Sequence, residues 1–338
     1  MTEPTTTKTT ITATENRFNP NEALQPANGF DGGFGKKLHT ILNSEAGEEY
    51  YRERLAGAVN DNCKPTKGSR AEARALRRQL LFRLGKYGRG EQEAALLTKL
   101  KRCKRGRRCT DAACPLCTYA VQALLSELHG DMREGGIRFD ACITIIPRLR
   151  FKPTTEPGRG IERAVAKVMR ARQRLDEAYE ASGVTAVIGA VDFTYHEFPD
   201  GSGFADHCRP HHHGLGFKAQ LSAGDKQLRG RFPSKGSISR PVQVQDFDGN
   251  DAWLQYALKT PNSRNIRRKD DQGRWLPSTY KTLTVEQHLQ QAMVLHEIGW
   301  AGRIYLRGID LIEGERGWRL SLTDFKPAVQ QKDGRRRS

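Results

Sequence analysis

The chain has 338 residues, 37% of them hydrophobic, and carries 56 Lys and Arg against 39 Asp and Glu, a formal charge of +17. No apolar run approaches the ~20 residues that span a bilayer, and the polar, Thr-rich start MTEPTTTKTTITATENRFNP lacks the apolar stretch of a secretion signal, so a cytoplasmic protein is expected. A field of this sign attracts polyanions, and the basic runs Lys99 to Arg108, Arg264 to Lys269 and Arg335 to Arg337 favour nucleic acid over a membrane surface.

Residues 1–40 are rich in Thr, Asn, Gly and Pro with little periodicity, and a disordered N-terminal segment is expected. A helical and Cys-rich region follows at 41–135, with helices predicted at 44–57 and 69–88. In the second, Leu76, Leu80, Leu81 and Leu84 recur at helical spacing with Arg on the other face. Four of the seven cysteines then crowd into one stretch, Cys103, Cys109, Cys114 and Cys117. An odd total with a local cluster suits a reducing compartment and a metal site better than a disulfide framework. The turn Cys114-Pro115-Leu116-Cys117 presents two sulfurs to one tetrahedral zinc, and Cys103 and Cys109 complete a four-cysteine set. Cys63, Cys142 and Cys208 are expected to be bystanders.

An amphipathic helix is predicted from Tyr119 to Met132, ended by Gly135-Gly136. Strand and helix alternate after it. A short apolar strand runs from Phe139 to Ile146, a charged helix from Ile161 to Ala181, a second strand from Val184 to His196 and a third from His211 to Ala219. Residues 222–240 read as a basic loop. A helix begins near Asp251 and carries Tyr256, another covers Thr284 to Ile298, and a strand or hairpin lies between Arg303 and Leu322. The expected fold is α+β, with a central, mostly antiparallel sheet flanked by helices over residues 136–325, and a basic tail at 326–338.

The most informative stretch is Arg209-Pro210-His211-His212-His213-Gly214. Side chains alternate along a strand, so His211 and His213 point one way and His212 the other. Two imidazoles side by side suit one divalent ion. A third ligand has to come from a neighbouring strand; Asp192 is the first choice, Glu197 the second, and Cys208 an outside candidate. No HExxH pair supports a zinc hydrolase. Downstream, Tyr256 and Lys259 are three residues apart and share a face if the segment is helical. A phenol with a pKa of about 10 is a weak nucleophile at neutral pH and needs positive charge or a polarised phosphate beside it; Lys259 supplies the charge.

The order of apolar strand, His-x-His strand and Tyr-x-x-Lys helix resembles the rolling-circle replication initiators of bacterial plasmids, within the HUH endonuclease superfamily. Cys142-Ile143-Thr144-Ile145-Ile146 is similar to the opening strand of that family, and Gly189 with Asp192 to the strand before the histidines, where Glu is commoner than Asp. His212 stands where the family has an apolar residue. The resemblance covers roughly residues 100–310. It implies a metal-dependent enzyme that nicks and rejoins single-stranded origin DNA, with Tyr256 as nucleophile, Mg or Mn on His211, His213 and Asp192, and a free 3′-OH that primes synthesis. It also implies an Arg- and Cys-rich zinc knuckle that contacts DNA, and a host helicase and polymerase as partners. Tyr195 and Tyr280 are candidates for a second tyrosine. Two other readings fit the same residues: a non-catalytic zinc-containing nucleic-acid-binding protein, and a transposase of the same superfamily. A relaxase commonly has its tyrosine before the histidines, whereas Tyr256 follows them.

Overall fold

The structure, a computed structural model, describes residues 33–43, 69–104, 106–152, 159–234, 240–249, 252–260, 262–314 and 317–323. The helix expected at 44–57, Cys63 and the basic tail at 326–338 lie outside the described residues.

A seven-stranded sheet organises the chain. Its strands are β1 (Ala141–Ile145), β2 (Val187–Glu197), β3 (His207–Gly216), β4 (Val242–Asp246), β5 (Ser263–Ile266), β6 (Thr279–Thr282) and β7 (Ile304–Arg307). The order is β4-β1-β3-β2-β5-β6. The long strand β2 is shared along its outer edge: β7 pairs with residues 187–190 and β5 with 195–197. Every pairing is antiparallel except β2 with β5. A separate hairpin joins β8 (Ile309–Gly314) to β9 (Gly317–Leu322).

Helices cover both faces. They are α1 (Gly33–Asn43), α2 (Arg70–Tyr87), α3 (Glu91–Lys101), α4 (Pro115–Glu134), α5 (Arg159–Ala181), α6 (Lys218–Ala223), α7 (Asp225–Arg231), α8 (Ala252–Ala257) and α9 (Val285–Arg303). On one face Ala141, Ile143, Ile145, Val187 and Tyr305 bury against Leu175 and Tyr179 of α5, Leu221 of α6 and Leu228 of α7. Cys142, Ile188, Ala190 and Leu215 join the larger core built with α2, α3, α4 and α8. The helices start where local chemistry allows. Ser69 accepts from the Glu72 amide at 3.1 Å, and Thr284 and Gln287 form a reciprocal capping box at the start of α9.

Several boundaries differ from expectation. The third strand, expected from His211 to Ala219, begins four residues earlier at His207 and ends at Gly216, and residues 218 and 219 open helix α6, which buries Leu221. Helix α1 begins inside the stretch expected to lack order, because Leu38, Ile41 and Leu42 lie one helical turn apart and all bury in the core. The segment read as a loop from 222 holds α7, anchored by buried Leu228. Helix α9 runs five residues past Ile298 by bending at Gly299, whose φ of 57° lies in the left-handed region glycine tolerates. The extra turn brings Trp300 and Arg303 inward.

Candidate active site and metal centre

Alternation along β3 separates the three histidines. His212 faces α5, with its ring centroid 5.9 Å from Tyr179 and 4.9 Å from Tyr305. It is a core residue. His211 and His213 share the opposite face, with ring centroids 6.1 Å apart. Asp192 pairs directly with His211 across β2 and β3, and so points to the same face. Close approach of the strands here depends on Gly189: a Cβ on it would meet the His213 carbonyl oxygen at 2.2 Å.

Thr144 on β1 holds His213 Nδ1 at 3.0 Å, which fixes the ring and leaves Nε2 free to point away. The Nε2 atoms of both His211 and His213 are buried without a hydrogen-bond partner among the described residues. Burial pushes His211 well below the usual imidazole range and His213 down to about 4, so both are neutral at pH 7 and fit to act as ligands. The donor chemistry of this pair fits a divalent ion.

Asp192 is buried, and its carboxylate meets Lys259 Nζ at 2.9 Å. The same ammonium sits 4.0 Å from the centroid of the Tyr256 ring. Burial opposes charge on Lys259, but Asp192 and Tyr256 outweigh it and hold the pKa above its ordinary value. Tyr256 is 51% exposed, and its ring centroid lies 5.2 Å from that of His213. Tyr256 and Lys259 thus meet as expected, but by a different route. Helix α8 ends at Ala257, and the Lys259 amide closes a turn onto the Tyr256 carbonyl at 3.1 Å.

What holds that turn in place is Arg303. Its side chain is fully buried and donates to the Leu258 and Lys259 carbonyls at 2.9 and 2.8 Å. The same guanidinium donates to the Ala112 carbonyl and the Thr118 hydroxyl, each at 2.9 Å. One side chain therefore ties the tyrosine turn to the cysteine segment. Burial lowers it to about 10, and it stays charged at neutral pH.

In the cysteine segment the Cys103–Cys117, Cys109–Cys117 and Cys114–Cys103 sulfur separations are 3.6, 3.5 and 3.6 Å. A zinc–sulfur bond of about 2.3 Å sets the edge of a tetrahedral four-sulfur site at about 3.8 Å. The four side chains are therefore placed to bind a metal such as zinc. Among the described residues this is the one group with three or more candidate ligand atoms all within 4.8 Å of one another. His211, His213 and Asp192 do not draw together that closely. Thr110, between the cysteines, has a φ of 50°, uncommon for a β-branched residue; its carbonyl accepts from Trp300 Nε1 at 2.9 Å. Asp111 is gripped by Lys99 and His296, at 2.9 and 2.7 Å.

The other sequence candidates are elsewhere. Glu197 points to the face opposite Asp192 and pairs with Arg264 at 2.9 Å. Cys208 is buried opposite Tyr195 on the His212 side. Tyr195 is fully buried and donates to Gln290, so neither it nor Cys208 reaches the histidine pair. Cys142 lies in the core, and burial pushes its thiol up to about 12. His196 escaped sequence reading. It sits four residues after Asp192 on β2, hence on the same face, with its ring centroid 6.2 Å from His211 and its Nε2 buried without a partner among the described residues. No helix among the described residues is long and apolar enough to cross a membrane.

Comparison of the chain with protein-family profiles, with curated proteins and with solved structures returned no match.

Proposed function

We propose that this chain is a plasmid replication initiator of the HUH type, a DNA strand transferase that nicks and rejoins single-stranded origin DNA through Tyr256. The observation that carries the reading is the half-exposed Tyr256 ring beside His213, with Lys259 bridging it to Asp192 on one face of the sheet. A purely structural tyrosine would have no reason to stand half open to solvent next to an imidazole whose Nε2 has no partner among the described residues. The surrounding charge is positive, from Lys259, Arg209 and Arg303 against one acid, which suits a phosphodiester.

In this reading Tyr256 Oη attacks the scissile phosphorus in line. The new bond joins phosphorus to Oη, the bond to the 3′-oxygen breaks, that oxygen leaves and takes a proton, and the phenolic proton passes to water. The number of phosphoester bonds is unchanged, so no nucleotide cofactor is needed, and attack by a 3′-OH on the phosphotyrosine reverses the step. Lys259 orients the phenol and offsets charge on the phosphate. Asp192 holds Lys259 in place. His211 and His213 would hold Mg or Mn, with Asp192 or His196 completing the set; that ion supplies polarisation of the phosphate. Cys103, Cys109, Cys114 and Cys117 would hold a structural zinc, and Arg303 passes the rigidity of that segment to the tyrosine turn. Host helicase and polymerase would act on the exposed 3′-OH, in the cytoplasm.

A second reading is favoured by one observation. The cysteine set is the tighter metal centre, and Lys259 occupies the carboxylate the histidines would share. A zinc-containing nucleic-acid-binding protein without catalysis would show the same. The two separate in one assay: labelled single-stranded origin DNA with Mn, followed by a denaturing gel. The first reading expects a covalent, metal-dependent adduct. The second expects binding and no adduct.

A further inference from the structure

The basic run Arg264 to Lys269 is not used by the chemistry above. It lies on a hairpin that leaves the tyrosine turn directly. Strands β5 and β6 pair antiparallel, and a bridge between Lys269 and Trp275 extends the pairing toward the tip. Asp270 fixes the tip by accepting from the Gln272 and Arg274 amides and pairing with the Arg274 side chain at 2.8 Å. The hairpin carries Arg264, Arg267, Arg268, Lys269, Arg274 and Lys281.

Its aromatic residues are exposed. Tyr280 is 70% exposed and Trp275 38%. Trp275 packs against Phe198 and Phe204, with ring centroids 6.1 and 6.0 Å away, and carries Lys269 and Arg267 over its ring at 4.9 and 5.4 Å from the centroid. Register places Tyr280 on the same face as the histidines. Tyr280 pairs with Asn265, Asn265 with His196, and His196 with His207. With strands about 4.8 Å apart, this row crosses ~14 Å of sheet. It is polar, and two of its atoms, Asn265 Oδ1 and His196 Nε2, are buried without hydrogen-bond partners among the described residues, while His207 is held by the Ala205 carbonyl and Arg209. Exposed rings among cations, beside a polar row with two unpartnered atoms, match what unpaired bases on a charged backbone require.

We propose that the β5–β6 hairpin is a stacking platform for single-stranded DNA, with Tyr280 and Trp275 receiving bases and the strand running across Asn265 and His196 toward Tyr256. The choice of DNA and of direction rests on the strand-transferase reading; the platform itself does not.

The test is binding of a fluorescein-labelled oligothymidine to the full chain in the Tyr256→Phe background, where strand transfer cannot interfere, followed by anisotropy. Trp275→Ala with Tyr280→Ala is expected to weaken binding by about tenfold or more. Tyr280→Phe, which keeps the ring, is expected to bind like the parent. Arg268→Gln with Lys269→Gln is expected to flatten the salt dependence. Unchanged affinity in the double alanine variant, with melting temperature retained, overturns the platform, as does a parent chain that binds no single strand. A chain that nicks but ignores loss of both rings rejects the platform alone. A chain that binds through the rings but forms no covalent adduct rejects the nicking reading alone.

Discussion

The cysteine segment and the histidine face both gather side chains able to ligate metal, but in different surroundings. Four sulfurs close on one another within a tetrahedron's reach, three of them buried, and the Thr110 and Ala112 carbonyls and the Asp111 carboxylate between them are bonded to side chains of α9. The histidine face is less closed: the Nε2 atoms of His211 and His213 lack partners among the described residues, its acid is held by a lysine, and a tyrosine stands half in solvent. Structural metal sites are closed and catalytic ones keep a position free. Under the proposed function the contrast would give stability to one region and chemistry to the other, with Arg303 as the link.

The comparison is sharpest if the cysteine centre is broken first. Structural zinc contributes on the order of 10 kcal/mol in small domains. Cys117→Ser is therefore expected to lose zinc by elemental analysis and to melt more than about 10 °C lower; retained zinc with an unchanged melt would remove the structural role. Breaking the link comes next. Arg303→Met leaves four acceptors without their buried cation, and such losses cost about 3–5 kcal/mol. Chemical denaturation should show this destabilisation, and nicking by the folded fraction should fall as well because Lys259 is released. The histidine face should respond in the other direction. His213→Ala is expected to cut nicking by about a hundredfold while zinc content and melting stay close to the parent. A His213→Ala chain that loses zinc would merge the two regions and contradict the contrast.

The smallest effect is acid sensitivity. Burial holds His213 and His288 down to about 4 and His196 down to about 3. In the unfolded chain these groups titrate near 6.5. Between the two values the unfolded chain binds more protons, so stability is full above about pH 6.5 and is lost as pH falls toward 4. Without divalent ions, melting should drop by several degrees from about pH 7 to about pH 5. A flat profile would mean that these imidazoles are more solvated than their burial indicates.

The parts legible in the sequence were those set by short-range periodicity. Two-residue alternation separated His211 and His213 from His212, and local spacing gathered the four cysteines. The same alternation ruled against Glu197, an odd number of residues from Asp192, once β2 was known to continue regularly through it. The β5–β6 hairpin was missed because SRNI and TYKT are four-residue strands with no apolar alternation to read. The role of Arg303 depends on a bend at Gly299 and on partners 44 to 191 residues away; no local pattern encodes it. Tyr256 and Lys259 illustrate both cases: their spacing announced the pair, but a turn fixed by Arg303, and not the helix itself, brings them together.

The central claim is that Tyr256 becomes covalently joined to DNA. The most direct measurement is to incubate the chain with single-stranded origin DNA and Mn, digest with nuclease and trypsin, and locate the modified peptide by mass spectrometry. The tryptic peptide at residues 236–259 holds Tyr256 as its one tyrosine. The account predicts nucleotide mass on that peptide and none in Tyr256→Phe. Modification of the peptide at residues 275–281, which holds Tyr280, or no modified peptide from a chain that binds the origin, would contradict it.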